Sequence, residues 1–167
     1  RHRCRARGAA GMTVRIGIIR PYSLAVPGGG QAQVLALGRA LREKGHHVRV
    51  LGPCDGPPPD SSVTPLGNSL PTAANGSMAP IAPDPAAQLR TIRALRDEEF
   101  DVVHLHEPMA PGPTMTAMVF KESPLVGTFH AAGASQAYVG FNPVVRGVAR
   151  RLDLKTAVSE GARAGAR

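Results

Sequence analysis

Val14-Arg-Ile-Gly-Ile-Ile19, then Arg20, then Pro21-Tyr-Ser-Leu-Ala-Val-Pro-Gly-Gly-Gly30-Gln31, is the stretch that decides the fold. The first six residues form a compact β-branched run, which reads as a buried strand. Pro21 to Gly30 reads as a loop. From Gln31 to Lys44, Val34, Leu37 and Leu41 recur at helical spacing with Ala40 beside them, and Gly45 stands where a C-terminal cap belongs. Val48–Leu51 is a second strand. Strand, loop, helix and strand in this order make a βαβ unit, and hence a parallel sheet.

The same alternation continues outward. Residues 53–85 are rich in Pro, Gly, Ser and Asn, and a structureless loop of that length is unusual inside a domain. Two or three short edge strands are expected there, around Val63-Thr64 and Met78–Ile81. Asp84-Pro85 reads as an N-cap followed by proline at the first helical position. The helix from Ala86 to Glu98 carries Leu89, Ile92 and Leu95, read as one apolar side. Strands follow at Asp101–His106 and Leu125–Phe129, with a helix over Pro113–Lys121 between them. Residues 135–151 read as helical with a break at Asn142-Pro143. Leu154–Val158 is a last strand, and Ser159 caps a helix still in progress at residue 167, so the chain is expected to be cut before a further domain. The fold class is α/β, a Rossmann-like doubly wound parallel sheet, and ligands of such sheets bind beyond the carboxyl ends of the strands. The loops after Arg20, His106 and His130 are therefore where chemistry is expected.

Composition narrows the function classes. The chain has 167 residues, room for one ordinary domain, and 43% are apolar, so it is globular. No stretch approaches the ~18 uninterrupted apolar residues of a spanning helix. Two cysteines, Cys4 and Cys54, make no disulfide framework and no metal spacing, so a reducing, cytoplasmic setting is the default. Half of the net charge of +8 sits in residues 1–11, which hold four Arg and no acid. That segment lacks the apolar stretch of a secretory signal. It is read as a disordered or mis-started extension, with Met12 as the true beginning and residues 12–167 as the domain. A nucleic-acid-binding arm is the alternative for it, and no nucleic-acid partner is expected.

Three clusters carry the chemistry. Gly28, Gly29 and Gly30 stand directly before a helix, where backbone N–H groups and the helix dipole favour a phosphate. A tight turn needing positive φ is the bland alternative. The dinucleotide fingerprint fails because Gln33 stands in place of its third glycine, and no acidic residue ends the second strand, so a nicotinamide-dependent oxidoreductase is disfavoured. His104 and His106 point the same way along a strand. With Glu107 they outline a metal site lacking a third ligand at good spacing, so no metal is expected. The role read for His106 and Glu107 is to position a polar substrate. Thr128-Phe-His130 ends another strand at the same sheet edge.

Four motifs together go further: PYSLAVPGGGQ (21–31), NGS (75–77), HLHEP (104–108) and TFH (128–130). In that order and at these separations they resemble the N-terminal half of a retaining GT-B glycosyltransferase of family 4. The likeness is greatest to the phosphatidylinositol mannosyltransferases of actinobacteria, and it covers essentially all of residues 13–167. The resemblance implies two Rossmann-like domains facing each other across a cleft. The first takes the acceptor and the second takes the nucleotide-sugar, with GDP-mannose as the donor and no bound cofactor or metal. Gly29, with Gly28 and Gly30, would lie beside the donor diphosphate. Tyr22, Gln31, Asn75 and Ser77 would face the acceptor, and His130 would contact the transferred sugar as the catalytic histidine. The implied reaction is a same-face displacement in which the leaving phosphate takes the acceptor proton. This chain by itself is expected to be inactive.

Two positions depart from the resembled pattern. Ser135 stands where a lysine contacts the inositol phosphate, and Ala25 stands where an aspartate precedes V-P-G-G. The clearest cation for a phospholipid headgroup is thus absent, and the acceptor is read as lipid-linked or small and polar. The resemblance also implies docking on an anionic membrane at the inner face of the plasma membrane. Arg90, Arg93 and Arg96 on the Ala86–Glu98 helix would supply the charge. The competing reading is a stand-alone Rossmann-like module that binds a phosphorylated small molecule without catalysis.

Overall fold

A computed structural model describes residues 12–74, 77–130 and 147–165. Their elements in chain order are β1 (Arg15–Ile19), α1 (Gly29–Glu43), β2 (His47–Gly52), β3 (Val63–Pro65), β4 (Leu70–Ala74) and β5 (Ser77–Ile81). These are followed by α2 (Pro85–Asp97), β6 (Val102–His106), α3 (Pro113–Val119), β7 (Leu125–Phe129), β8 (Leu154–Ala157) and a final helix, α4 (Glu160–Gly165). Six strands form one sheet in the order β3-β2-β1-β6-β7-β8, and every pair in it is parallel. β4 and β5 form a separate antiparallel hairpin. The sheet is the doubly wound, Rossmann-like α/β arrangement that the alternation of strands and helices requires.

Side-chain alternation along the strands divides the core between the two faces of the sheet. Ile16 and Ile18 of β1 join Val48 and Val50 of β2 and Val34 and Leu35 of α1 in one cluster. Ile19, Leu51, Val103 and Leu105 point the other way and meet Ala94 and Leu95 of α2, Met118 of α3 and Leu125 of β7. The odd-numbered residues of β6 are thus committed to the second cluster. His104 and His106 are left on the face that carries α1.

Local signals account for the element ends. The Asp84 side chain accepts a hydrogen bond from the Ala87 N–H at 3.0 Å, with Pro85 in the first turn. Past α1, Gly45 has φ of 88° and donates its N–H to the Arg42 carbonyl at 2.9 Å. Ser159 caps α4, accepting from the Ala162 N–H at 3.1 Å. The helix expected over Pro113–Lys121 stops at Val119, with Phe120 leaving helical geometry at ψ of 51°. Most of the helix expected over 135–151 lies outside the described residues.

The apolar side assigned to α2 needs correction. Leu89 is 67% exposed, whereas the buried residues are Ala87, Thr91, Ala94 and Leu95. Those positions follow the i, i+4, i+7 spacing of a single face, which packs against α3. Leu89 lies roughly 200° around the helix from Ala87 and shares the exposed side with Arg93 and Arg96. The small residues Ala87 and Ala94 allow close packing, and this, not the count of leucines, decides which side turns in.

Candidate active site

Strand order reverses between β1 and β6, and the carboxyl ends of both strands open there on a crevice. A cavity of about 340 Å³ occupies it. Arg20 and Tyr22 reach it from the loop after β1, and Gly30, Gln33 and Val34 from the start of α1. His106 and Glu107 come from the end of β6, and His130 from the end of β7.

The loop after β1 is pinned on both sides. Asp55 accepts from the Ser23 hydroxyl at 2.5 Å and from the Ser69 N–H and hydroxyl at 2.6 and 2.7 Å. Leu24 is fully buried, donates its N–H to Pro53 O at 2.7 Å, and receives the Gln31 amide on its carbonyl at 2.8 Å. Tyr22 pairs with Ile81, which brings the loop against β5. Gly28 is extended (φ 174°) and caps α1, and Gly29 and Gly30 already lie in the helix. The triple glycine is therefore not a left-handed turn. α1 begins with no side-chain cap and no acidic residue in its first turn, so no N-cap side chain occupies its leading N–H groups.

Three histidines line up at the sheet edge. His104 Nε2 lies 2.6 Å from Thr128 Oγ1, which in turn lies 2.6 Å from Thr156 Oγ1, so one polar chain ties β6 to β7 and β8. His106 Nδ1 and His130 Nε2 are 2.8 Å apart and share a single proton, because one must donate and the other accept. The ring centroids are 4.5 Å apart for His104 and His106 and 5.0 Å for His106 and His130. Burial, then repulsion from His104, His130 and Arg20, pushes His106 down to about 3. Burial lowers His104 and His130 as well, with Glu107 pulling His130 the other way. All three imidazoles are neutral at neutral pH, and among the described lining residues the fixed positive charge is Arg20.

Glu107 holds this arrangement in place. Its backbone takes a positive φ of 50°, which costs a non-glycine residue roughly 1–2 kcal/mol. The surroundings secure it: its N–H donates to Thr128 O at 2.9 Å, and its carbonyl accepts from Thr114 Oγ1 at 3.2 Å. The carboxylate then accepts the His130 N–H at 2.6 Å, fixing where the His130 ring enters the cavity. Burial, followed by the Glu107 charge, raises the Tyr22 pKa, so its phenol stays a neutral donor.

Of the residues singled out in the sequence, Tyr22, Gly30, His106, Glu107 and His130 come together around the cavity. Gly28 and Gly29 sit just outside it, with nothing within 4 Å of where a Cβ would stand. Gln31 turns back to brace Leu24. Asn75 lies outside the described residues, as does Ser135, and Ser77 is placed only as the first residue of β5. Arg20, Gln33 and Val34 were not foreseen. The signal for the last two was helical spacing from Gly30, since i, i+3 and i+4 share one face. Among the described residues no three His, Cys, Asp or Glu side chains gather to hold a metal ion. No described helix is long and apolar enough to cross a membrane.

Comparison with known proteins fits this geometry. The family profile described as Glycosyltransferase Family 4 matches residues 27–167. The phosphatidyl-myo-inositol mannosyltransferase of Mycobacterium leprae (strain TN) is 41% identical over 155 residues, covering 90% of this chain and 41% of that protein. The protein of the same description from Propionibacterium freudenreichii is 36% identical over 159 residues, covering 89% and 42%. The chain thus spans about two fifths of the length of the curated relatives it matches. Among solved structures, Acinetobacter baumannii MurG superposes with a TM-score of 0.54 at 14% identity, covering 89% of this chain and 42% of that one. An α-glucosyltransferase in complex with UDP and a 13-mer DNA gives 0.53 at 14% identity, covering 87% and 38%. At such identities the structural likeness is one of fold.

Proposed function

Because this chain belongs to glycosyltransferase family 4, we propose that it forms the acceptor-side wall of a retaining mannosyltransferase. The reaction carries a mannosyl group from GDP-mannose to a lipid-linked inositol acceptor. Relatives more than twice as long leave room for a second domain, which would bind the nucleotide-sugar and close the cleft. One observation carries the reading: the polar groups of three sequence-distant motifs line a single cavity at the switch point of the sheet, beside an uncapped helix N-terminus.

In this reading the leading N–H groups of α1 face the donor diphosphate, and the sugar lies over His130. The Glu107 carboxylate is already engaged by the His130 N–H, so it acts as an orienting group and not as a nucleophile. The acceptor hydroxyl adds to the anomeric carbon on the face from which the diphosphate departs. Its proton passes to the departing phosphate oxygen as the old C–O bond breaks and the new one forms. The protein's contribution is position and charge stabilisation. On α2, Leu89 shares its exposed side with Arg93 and Arg96, an arrangement suited to an anionic membrane at the cytoplasmic face. Arg90 is turned toward Leu66 O at 3.5 Å.

Substituting Gly29 by Val tests the donor side. A Cβ there meets nothing within 4 Å, so the fold should tolerate it. The branched side chain then stands in front of the N–H groups that would face the diphosphate. We expect an unchanged thermal melting temperature and GDP binding weakened about tenfold in the full-length protein, read by calorimetric titration. Unchanged GDP affinity would remove the start of α1 from the donor site.

A further inference from the structure

The feature that the proposed reaction leaves unexplained is Arg20. It directly follows β1, lines the cavity, and places its Nη1 where solvent does not reach, without a hydrogen-bond partner among the described residues. A guanidinium buried for structural reasons comes with an acceptor, because an unpaired buried donor is costly and a charged one more so. The surroundings are shaped around it nonetheless. Its terminal carbon sits 5.5 Å from the centre of the Tyr22 ring, in cation–π range. Any residue larger than glycine at position 30 would put a Cβ 3.1 Å from Nη1 and 3.2 Å from Nη2. The start of α1 thus makes room for the guanidinium by lacking a side chain there.

The chemistry of a fitting ligand follows from the other walls. His106 is 4% exposed, and its Nε2 is likewise buried without a partner among the described residues. It and His130 are neutral hydrogen-bonding groups, and Tyr22 is a neutral phenol. One fixed cation beside these neutral donors and acceptors, with the one lining carboxylate, Glu107, engaged by the His130 backbone N–H, is complementary to a polyhydroxylated ring bearing a phosphate. Gly28 and Gly29, which precede Gly30 at the start of α1, do not line the cavity, and their N–H groups are separately available to a diphosphate.

We propose that Arg20 recognises the acceptor's phosphate, holding the phosphodiester of an inositol phospholipid headgroup inside the cavity through charge-assisted hydrogen bonds. The proposal rests on the glycosyltransferase reading for the identity of the acceptor, but its test does not require turnover. The full-length protein and its Arg20→Gln and Gly30→Ala variants are titrated by calorimetry with glycerophospho-myo-inositol, with myo-inositol and with GDP. Melting curves confirm that each variant is folded. Arg20→Gln should weaken glycerophosphoinositol binding about 10–100-fold and leave GDP affinity unchanged. It should also abolish the preference of the site for the phosphodiester over bare inositol. Gly30→Ala retains the charge but makes the guanidinium give way by a few tenths of an ångström, and should weaken the phosphodiester in the same direction and by less. Several results would overturn the proposal: no binding of glycerophosphoinositol to the wild type, equal losses for inositol and its phosphodiester, or a loss confined to GDP. The last would assign Arg20 to the donor diphosphate. Absent sugar transfer by a wild-type protein that still shows the Arg20-dependent preference would instead count against the enzymatic reading alone.

Discussion

Replacing His130 by Ala in the full-length protein is expected to lower kcat about 100-fold while leaving donor affinity within about twofold. Two hydrogen bonds set the ring's place: Glu107 holds the His130 backbone N–H at 2.6 Å, and His106 Nδ1 lies 2.8 Å from the ring's Nε2. The ring is thereby fixed before any sugar arrives, and its remaining edge faces the cavity. A group so placed costs no reorganisation during the reaction, which makes it worth most in the transition state. Burial lowers the His130 pKa, so it acts there as a neutral hydrogen-bonding group, and kcat should not follow a histidine titration above pH 6.5. The variant also strips His106 Nδ1 of its partner, at a cost of about 1–2 kcal/mol in stability. Melting must therefore be measured beside turnover. A folded variant with an unchanged kcat would make His130 a structural partner of His106 and nothing more.

Gly112→Ala is expected to be the most damaging single change to the fold. Gly112 takes φ of 109° and ψ of −137°, a backbone conformation that L side chains rarely adopt. A Cβ there would lie 2.6 Å from the Ala82 carbonyl oxygen, and that atom belongs to the backbone. A flexible side chain could swing away, but the Ala82 peptide cannot, because Ala82 is buried beside the start of α2. Strain and clash together should cost about 3 kcal/mol or more, lowering Tm by roughly 10 °C for a domain of this size. The effect should reach the site, since Gly112 opens α3 and Thr114 of that helix donates to the Glu107 carbonyl at 3.2 Å. A variant that melts with the wild type would show that the segment repacks freely.

The architecture was legible where local chemistry and tertiary environment agree. β7 falls on Leu125–Phe129 as the apolar run indicates, and Asp84-Pro85 begins α2 as cap and first-turn proline. β4 had no comparable signal: Leu70-Pro71-Thr72 lacks strand periodicity, and its place comes from pairing with β5. Leu89 misled because hydrophobicity alone does not say which side of α2 can approach α3. In the site, the motif residues Tyr22, His106, Glu107 and His130 were recognisable because each ends a strand or starts a loop at the same sheet edge. Arg20 was not, because its role arises from convergence of distant segments. Nothing in a single sequence shows that a side chain at position 30 would stand 3.1 Å from the guanidinium of Arg20.

The central claim is that the cavity between β1 and β6 is the acceptor side of a retaining mannosyl transfer. Incubating the full-length protein with radiolabelled GDP-mannose and vesicles containing phosphatidylinositol tests it most directly, with the lipid product isolated and its anomeric configuration read by NMR. The account predicts a labelled inositol lipid whose mannose keeps the α configuration of the donor. A β-linked product, or no labelled lipid from any nucleotide-sugar supplied, would contradict it.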